Sequence, residues 1–156
     1  MPWPACIVQE PRMSDFQLHP RLAEDTFEVI RWPLCHVLLM NDSRFPWLIL
    51  VPGRDGLREI HDLEDRDQAQ FLRESVTLGR HLLEHFRGFK LNGAALGNVV
   101  PQLHVHHIVR FPDDPCWPRP VWGQGSAIPY GGEEGEALVR ALRARLATFI
   151  PAAVHG

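Results

Sequence analysis

Hydrophobic and polar positions divide this chain into short apolar runs and two longer periodic segments. Thr26 to Arg31 sets Phe27, Val29 and Arg31 against Glu28 and Ile30, the alternation of a strand. Trp32-Pro33 interrupts it. Leu34 to Met40 is continuously apolar and reads as a buried strand, and Asn41-Asp42-Ser43-Arg44 is a turn by composition. Trp47 to Val51 is a second apolar run, closed by Pro52, so the two runs predict an antiparallel hairpin. Ala69, Leu72, Val76, Gly79, Leu83 and Phe86 then recur at spacings of three and four and predict a helix. Asp62 is its expected N-cap, Glu64, Asp65 and Asp67 suit the positive end of its dipole, and Gly88 is its expected stop. Phe89 to Leu96, which contains Asn92, predicts a short strand, and Gly97-Asn98 a turn. Val100 to Arg110 predicts another strand, because β-branched residues dominate it.

Phe111 to Tyr130 carries Pro112, Pro115, Pro118, Pro120 and Pro129 with Trp117 and Trp122. A loop this long inside a compact domain is usually functional or packs by its own side chains. Glu133 to Ile150 predicts a second helix, with Leu138, Leu142, Leu146 and Phe149 on one face and Pro151 ending it. Phe16 to Asp25 is an irregular or helical lead-in. Strands and helices are segregated, so the expected class is α+β: an antiparallel sheet of about five strands with two main helices. Residues 1–12, with Pro2, Pro4 and Pro11, show no periodicity and are expected to be an irregular extension to a single domain spanning 13–156. Met13 is an alternative start.

Composition narrows the functional classes. A net charge of -3 argues against a nucleic-acid backbone as the main partner. Cys6, Cys35 and Cys116 form no paired motif, which fits a reducing, cytoplasmic setting. No apolar run reaches the length of a membrane span.

The chemistry concentrates in Val100 to Arg110. If this is a strand, Gln102, His104 and His106 share one face, and Leu103, Val105, His107 and Val109 share the other. Imidazoles rising from a buried strand cost solvation unless each ring has a partner or does chemistry. Three readings follow. His104 and His106 could share a metal ion, though a third ligand would have to come from elsewhere, with Asp113 and Asp114 the nearest in sequence. One ring could attack phosphorus and form a phosphoramidate, given a partner for its other nitrogen and donors for the phosphoryl oxygens. Or both could be satisfied core histidines. His107, on the opposite face, reads as structural. His81 and His85, one turn apart on the first helix, read as a helix flank in preference to a metal pair.

The segment Gly97-Asn98-Val99-Val100-Pro101-Gln102-Leu103-His104-Val105-His106-His107-Ile108-Val109-Arg110 resembles the signature of the histidine triad (HIT) family: a Gly-Gln pair, then three histidines alternating with apolar residues, often ending in Pro-Arg. Asn41, the turn, the apolar run and Pro52 are similar to the family's nucleotide-binding hairpin, so the likeness covers most of residues 26–110. In the register that keeps the Gly-polar pair and Arg110 in step, Gln102 stands at the first triad position, His104 at the middle, nucleophilic one and His106 at the last. A second register makes His104 first and His106 the nucleophile. The resemblance implies a nucleotidyl hydrolase or transferase, with a nucleotide sensor or scaffold as the alternative. His104, His106 and Gln102 would form the catalytic set. Asn41 would hold the ribose and Leu39 would lie against the base. Asn98 would contact phosphoryl oxygens or the leaving group, and Asn92 and Arg110 complete the substrate-binding set. The implied ligand is a purine nucleotide or nucleotide conjugate, the implied state a homodimer, and no metal or cofactor is needed for the attack.

Overall fold

The computed structural model describes residues 16–155; the expected extension at 1–12 and Met13 lie outside the described residues. Helix α1 (Pro20–Asp25) leads into strands β1 (Thr26–Arg31), β2 (Cys35–Met40) and β3 (Trp47–Pro52). A 3-10 turn (Ile60–Asp62) precedes helix α2 (Asp65–Phe86). Strands β4 (Lys90–Ala94) and β5 (Val105–Arg110) and helix α3 (Gly132–Thr148) complete the order. The strands form one sheet in the order β1-β2-β3-β5-β4, and every pairing is antiparallel. The fold is α+β with a five-stranded antiparallel sheet, as the patterning predicts.

Both faces of the sheet are covered, by different material. Val37, Leu39, Leu48, Leu50, Val105 and Val109 pack against Phe71, Leu78 and Leu82 of α2 and Val139, Leu142 and Leu146 of α3. Leu38, Trp47, Ile49, Val51 and Ile108 point the other way, toward Leu22 of α1 and Cys116 and Val121 of the 111–130 stretch. Removing this apolar surface from water supplies the main driving force of folding.

Three expectations shift. The buried side of α2 is set by Phe71, Glu74, Leu78 and Leu82, and Leu72 and Val76 are exposed. The cause is Glu74, which is fully buried. Its carboxylate accepts the backbone N–H of Leu34 and of Cys35, each at 2.9 Å, and the Gln70 side-chain amide at 2.7 Å. Donors at the entry to β2 need an acceptor more than the helix needs a wholly apolar face. Asp62 closes the preceding 3-10 turn, and Glu64 is the N-cap residue of α2. The histidine strand is also shorter than predicted: it begins at Val105, so Gln102 and His104 lie on the approach to it.

The 111–130 stretch has no regular element, yet it is tied down by polar contacts. Arg110, only 1% exposed, pairs with Asp114 through two bonds of 2.7 and 2.9 Å, and its third donor reaches Asn92 Oδ1 at 2.8 Å. Asp114 also accepts the backbone N–H of Phe111 and Cys116. Burial would raise the Asp114 carboxyl, but these hydrogen bonds and the Arg110 charge bring it down to about 2. At the other end, Arg44 is paired with Asp42 and donates to the Gln124 carbonyl, and Asn41 Oδ1 accepts the Tyr130 N–H.

Candidate active site

A cavity of about 360 Å³ lies against the sheet face opposite α2 and α3, at the N-terminal end of β5. Its walls are Arg21, Leu22 and Asp25 of α1, Met40 and Ile49 of the sheet, the Leu96–Val100 turn, and Trp122 of the long loop. His104 and His106 line it together. Gly97 turns the chain at this rim with φ 68°, a conformation glycine adopts without steric cost. Mostly apolar walls with a few convergent polar groups are what a small-molecule site of this size presents.

The two imidazoles are 5.0 Å apart, centroid to centroid, and nearly perpendicular. Each has one nitrogen committed. The Nδ1 of His104 is 2.7 Å from the Gln102 carbonyl oxygen. A carbonyl only accepts, so Nδ1 carries the proton and Nε2 keeps its lone pair. His106 is held the opposite way. The Trp47 indole N–H, which can only donate, lies 3.0 Å from His106 Nδ1. Burial, then the neighbouring His104 and His107, push the His106 pKa down to about 3, so the ring is neutral near pH 7 and its proton sits on Nε2. The register explains this contact. Ile49 pairs with His106 and Trp47 with Ile108, which makes Trp47 the diagonal neighbour of His106 on the same face.

His107 points to the helices, as the alternation predicts. Its Nδ1 donates to the Val105 carbonyl at 3.1 Å and its Nε2 meets the Ser75 hydroxyl of α2 at 2.7 Å. Burial lowers its pKa to about 4, against the Val105 hydrogen bond. His81 stacks on Phe149 at 4.0 Å, and His85 packs edge-on to Phe86.

Of the residues singled out in the sequence, the structure brings His104, His106 and Asn98 to the cavity. It does not bring the others. Gln102 turns its amide away and clamps the segment before α1, accepting from the His19 N–H and donating to the Gln17 carbonyl, both at 2.9 Å. Leu39 belongs to the helix-side core, because its neighbours in β2, Leu38 and Met40, take the other face. Asn41 is occupied with the Tyr130 backbone, and Asn92 and Arg110 are occupied with each other and Asp114. Trp47, Met40, Ile49 and Trp122 were not singled out for this site. Trp47 and Ile49 alternate in β3, but only the β3–β5 register shows that they share the face of His106.

An all-antiparallel sheet presenting paired imidazoles at a mostly apolar cavity defines a class, and comparison with known proteins agrees with it. The HIT domain model matches residues 21–113, and the chain belongs to the HIT family. A histidine triad protein from Marinobacter aquaeolei VT8 is 50% identical, with a TM-score of 0.83 over 85% of this chain and 97% of that one. One from Bradyrhizobium japonicum is 46% identical, with a TM-score of 0.80 over 83% and 96%. One from Sinorhizobium meliloti 1021 is 42% identical, with a TM-score of 0.80 over 87% and 98%. None of the curated proteins matches the chain.

Proposed function

We propose that this HIT protein binds a purine nucleotide or nucleotide conjugate in the α1–β5 cavity and transfers or hydrolyses its nucleotidyl group through His104. The observation that carries this reading is the bond between His104 Nδ1 and the Gln102 carbonyl, which leaves the Nε2 lone pair as the ring's reactive atom at the cavity wall. His104 Nε2 attacks the α-phosphorus and the bond to the leaving group breaks. Water or another acceptor then attacks phosphorus and breaks the P–N bond, releasing the nucleoside monophosphate or its ester and restoring the ring. His106 donates from Nε2 to a phosphoryl oxygen, and Asn98 offers a second donor at the rim. Met40, Ile49, Leu22 and Trp122 give the base an apolar slot.

In this reading Gln102 occupies the first triad position and serves through its backbone carbonyl, while its side chain holds α1 in place. Asn41, Asn92 and Arg110 then act on the substrate indirectly, by fixing the 111–130 stretch that presents Trp122. The catalytic unit is a single domain over 13–156, working in the cytoplasm as a homodimer. The dimer is supported by β4, an edge strand of the sheet, and by the exposed Leu72 and Val76 on α2, which packs against β4. No membrane is invoked: among the described residues no helix is long and apolar enough to cross one.

The test is a thermal-shift screen with nucleoside monophosphates, paired with acid-quenched trapping of a nucleotidyl adduct. Stabilisation by a purine nucleotide and an adduct mapped to His104 are expected. An adduct on His106 would move the nucleophile to the second register. Binding with neither adduct nor turnover would make the protein a nucleotide sensor.

A further inference from the structure

The His104 ring is tied to a loop on the far side of its own strand. Its Nδ1 donates to the Gln102 carbonyl at 2.7 Å, and that carbonyl belongs to the same peptide unit as the Leu103 N–H. Leu103 precedes β5, and its N–H donates to the Leu57 carbonyl at 2.9 Å. The Leu57 carbonyl shares a peptide unit with the Arg58 N–H, which donates to Asp62 Oδ2 at 3.0 Å. The same oxygen accepts the Glu59 N–H at 2.9 Å. Four groups therefore run head to tail: the Asp62 carboxylate, the Leu57–Arg58 peptide, the Gln102–Leu103 peptide and the His104 imidazole. Every donor in the series faces the carboxylate end. Leu63 and Leu103 are buried and Leu57 packs against the same core, which fixes the crossing between loop and strand. The Glu59 N–H and then the Arg58 N–H hold the Asp62 carboxyl below the ordinary carboxylate range, so it is charged at neutral pH. Its side chain is 38% exposed, with His61 Nε2 3.9 Å away, so solvent screens its field through space. The peptide series is a path that solvent does not interrupt.

From this series we infer that Asp62 is a positioning residue for His104, acting through two peptide units and not by contact. The inference deepens the proposed function and rests on His104 being its nucleophile. An amide that donates to an acceptor becomes a better acceptor at its own oxygen, and such chains strengthen each bond by about 10–30%. A bond to an ionised acceptor is about twice as strong as a neutral one, so the carboxylate sets the size of the first step. At the far end the Gln102 oxygen draws harder on the Nδ1 proton. Two consequences follow at the ring. The tautomer with its lone pair on Nε2 is held more firmly. When Nε2 forms the P–N bond with Nδ1 still protonated, the ring becomes positively charged, and the polarised Gln102 oxygen faces that charge. This stabilisation grows as the P–N bond forms, so it lowers the barrier without tightening the ground-state complex.

The experiment compares the wild-type protein with Asp62→Asn, whose side-chain oxygen still accepts the Arg58 and Glu59 N–H groups but carries no charge. Isotope-labelled protein is read by NMR at the His104 Nδ1–H and at the Leu103 amide, and kcat, KM and the Kd of adenosine monophosphate are measured alongside. In Asp62→Asn both proton resonances should move upfield, and kcat should fall about three- to tenfold at unchanged KM and Kd. Glu64→Gln removes an exposed carboxylate of the same loop that lies outside the series, and it should change none of these. Wild-type kcat with unmoved resonances in Asp62→Asn overturns the inference and leaves Asp62 a turn residue. A parallel loss of adenosine monophosphate affinity and of thermal stability also overturns it, because a displaced loop does that without polarising the ring. An equal fall of kcat in Glu64→Gln overturns it in favour of the general field of the loop. Neither turnover nor adduct in the wild-type protein removes the proposed function, and the catalytic role of Asp62 falls with it. The two resonances separate that failure from this one, since they report the series without any substrate.

Discussion

His106 and His107 are chain neighbours with opposite fates. Both are buried, and burial brings both below the ordinary histidine range, to about 3 and about 4. Both have Nδ1 in a hydrogen bond. The difference lies at Nε2. On the helix face, the Ser75 hydroxyl meets the His107 Nε2, and the ring is fully paired. On the cavity face, the described residues put nothing on the Nε2 of His106, or on that of His104 beside it. On the helix face both nitrogens of His107 are paired; on the cavity face one nitrogen of each ring is held and the described residues make no hydrogen bond to the other. A buried histidine is therefore no sign of a site by itself. An oriented ring with one unspent nitrogen at a cavity wall is.

The largest effect should come from breaking the cavity face. If His104 is the nucleophile as proposed, His104→Ala is expected to lower turnover of a nucleotidyl substrate by about 10⁴-fold or more while leaving the circular dichroism spectrum unchanged. Measurable residual turnover with a trapped adduct elsewhere would show that the register is different.

The support behind that face is next. Asp114→Ala leaves Arg110 buried and unpaired, and a broken buried pair of this kind costs about 3–5 kcal/mol. Urea denaturation should show the loss, and nucleotide binding should weaken with it because the 111–130 stretch bearing Trp122 is anchored there. If stability were unchanged, the Arg110–Asp114 pair would not be what orders the 111–130 stretch.

The pH dependence tests what the two faces share. The ordinary histidine pKa is about 6.5. His106 and His107 titrate lower in the fold, so their contribution to stability is fully present above about pH 6.5. As pH falls below that, the unfolded chain binds protons first and stability declines, until the folded rings titrate near 4 and 3. Each ring adds a slope of about 1.4 kcal/mol per pH unit across its window. Chemical denaturation at stepped pH in His107→Gln should lose one such slope between about pH 6.5 and 4.

The smallest effect sharpens the contrast. Ser75→Ala removes the partner of His107 Nε2 and should cost about 1 kcal/mol, the low end for a buried acceptor left unpaired. The kcat should not change, because the site uses the other face. A change in kcat with stability intact would mean that the helix face communicates with the cavity.

Much of this was legible in the chain. The first strand follows from alternation and the hairpin from two apolar runs around a polar turn, local properties carried in the sequence, whereas the start of the histidine strand does not. The placement of His107 opposite His104 and His106 follows from alternation as well. Leu39, Asn92 and Arg110 show where local reading stops. Leu39 sits in a continuously apolar strand with no polar side to mark its face, and Asn92 and Arg110 are polar residues whose partners lie across the sheet and in the following loop.

By itself, the sequence determined an α+β sheet, a histidine-bearing strand and a family resemblance that the fold supports, because period-two alternation and a compact motif need no distant partner. Tertiary structure decided what each polar group is for. Trp47 reaches His106 across 59 residues of chain, and Gln102 reaches Gln17 across 85. A neutral imidazole has two tautomers of similar energy, and the atom placed against one nitrogen selects between them. That choice leaves a lone pair on Nε2 of His104, through a carbonyl two residues away, and a proton on Nε2 of His106, and the second exists only once β3 and β5 are brought together.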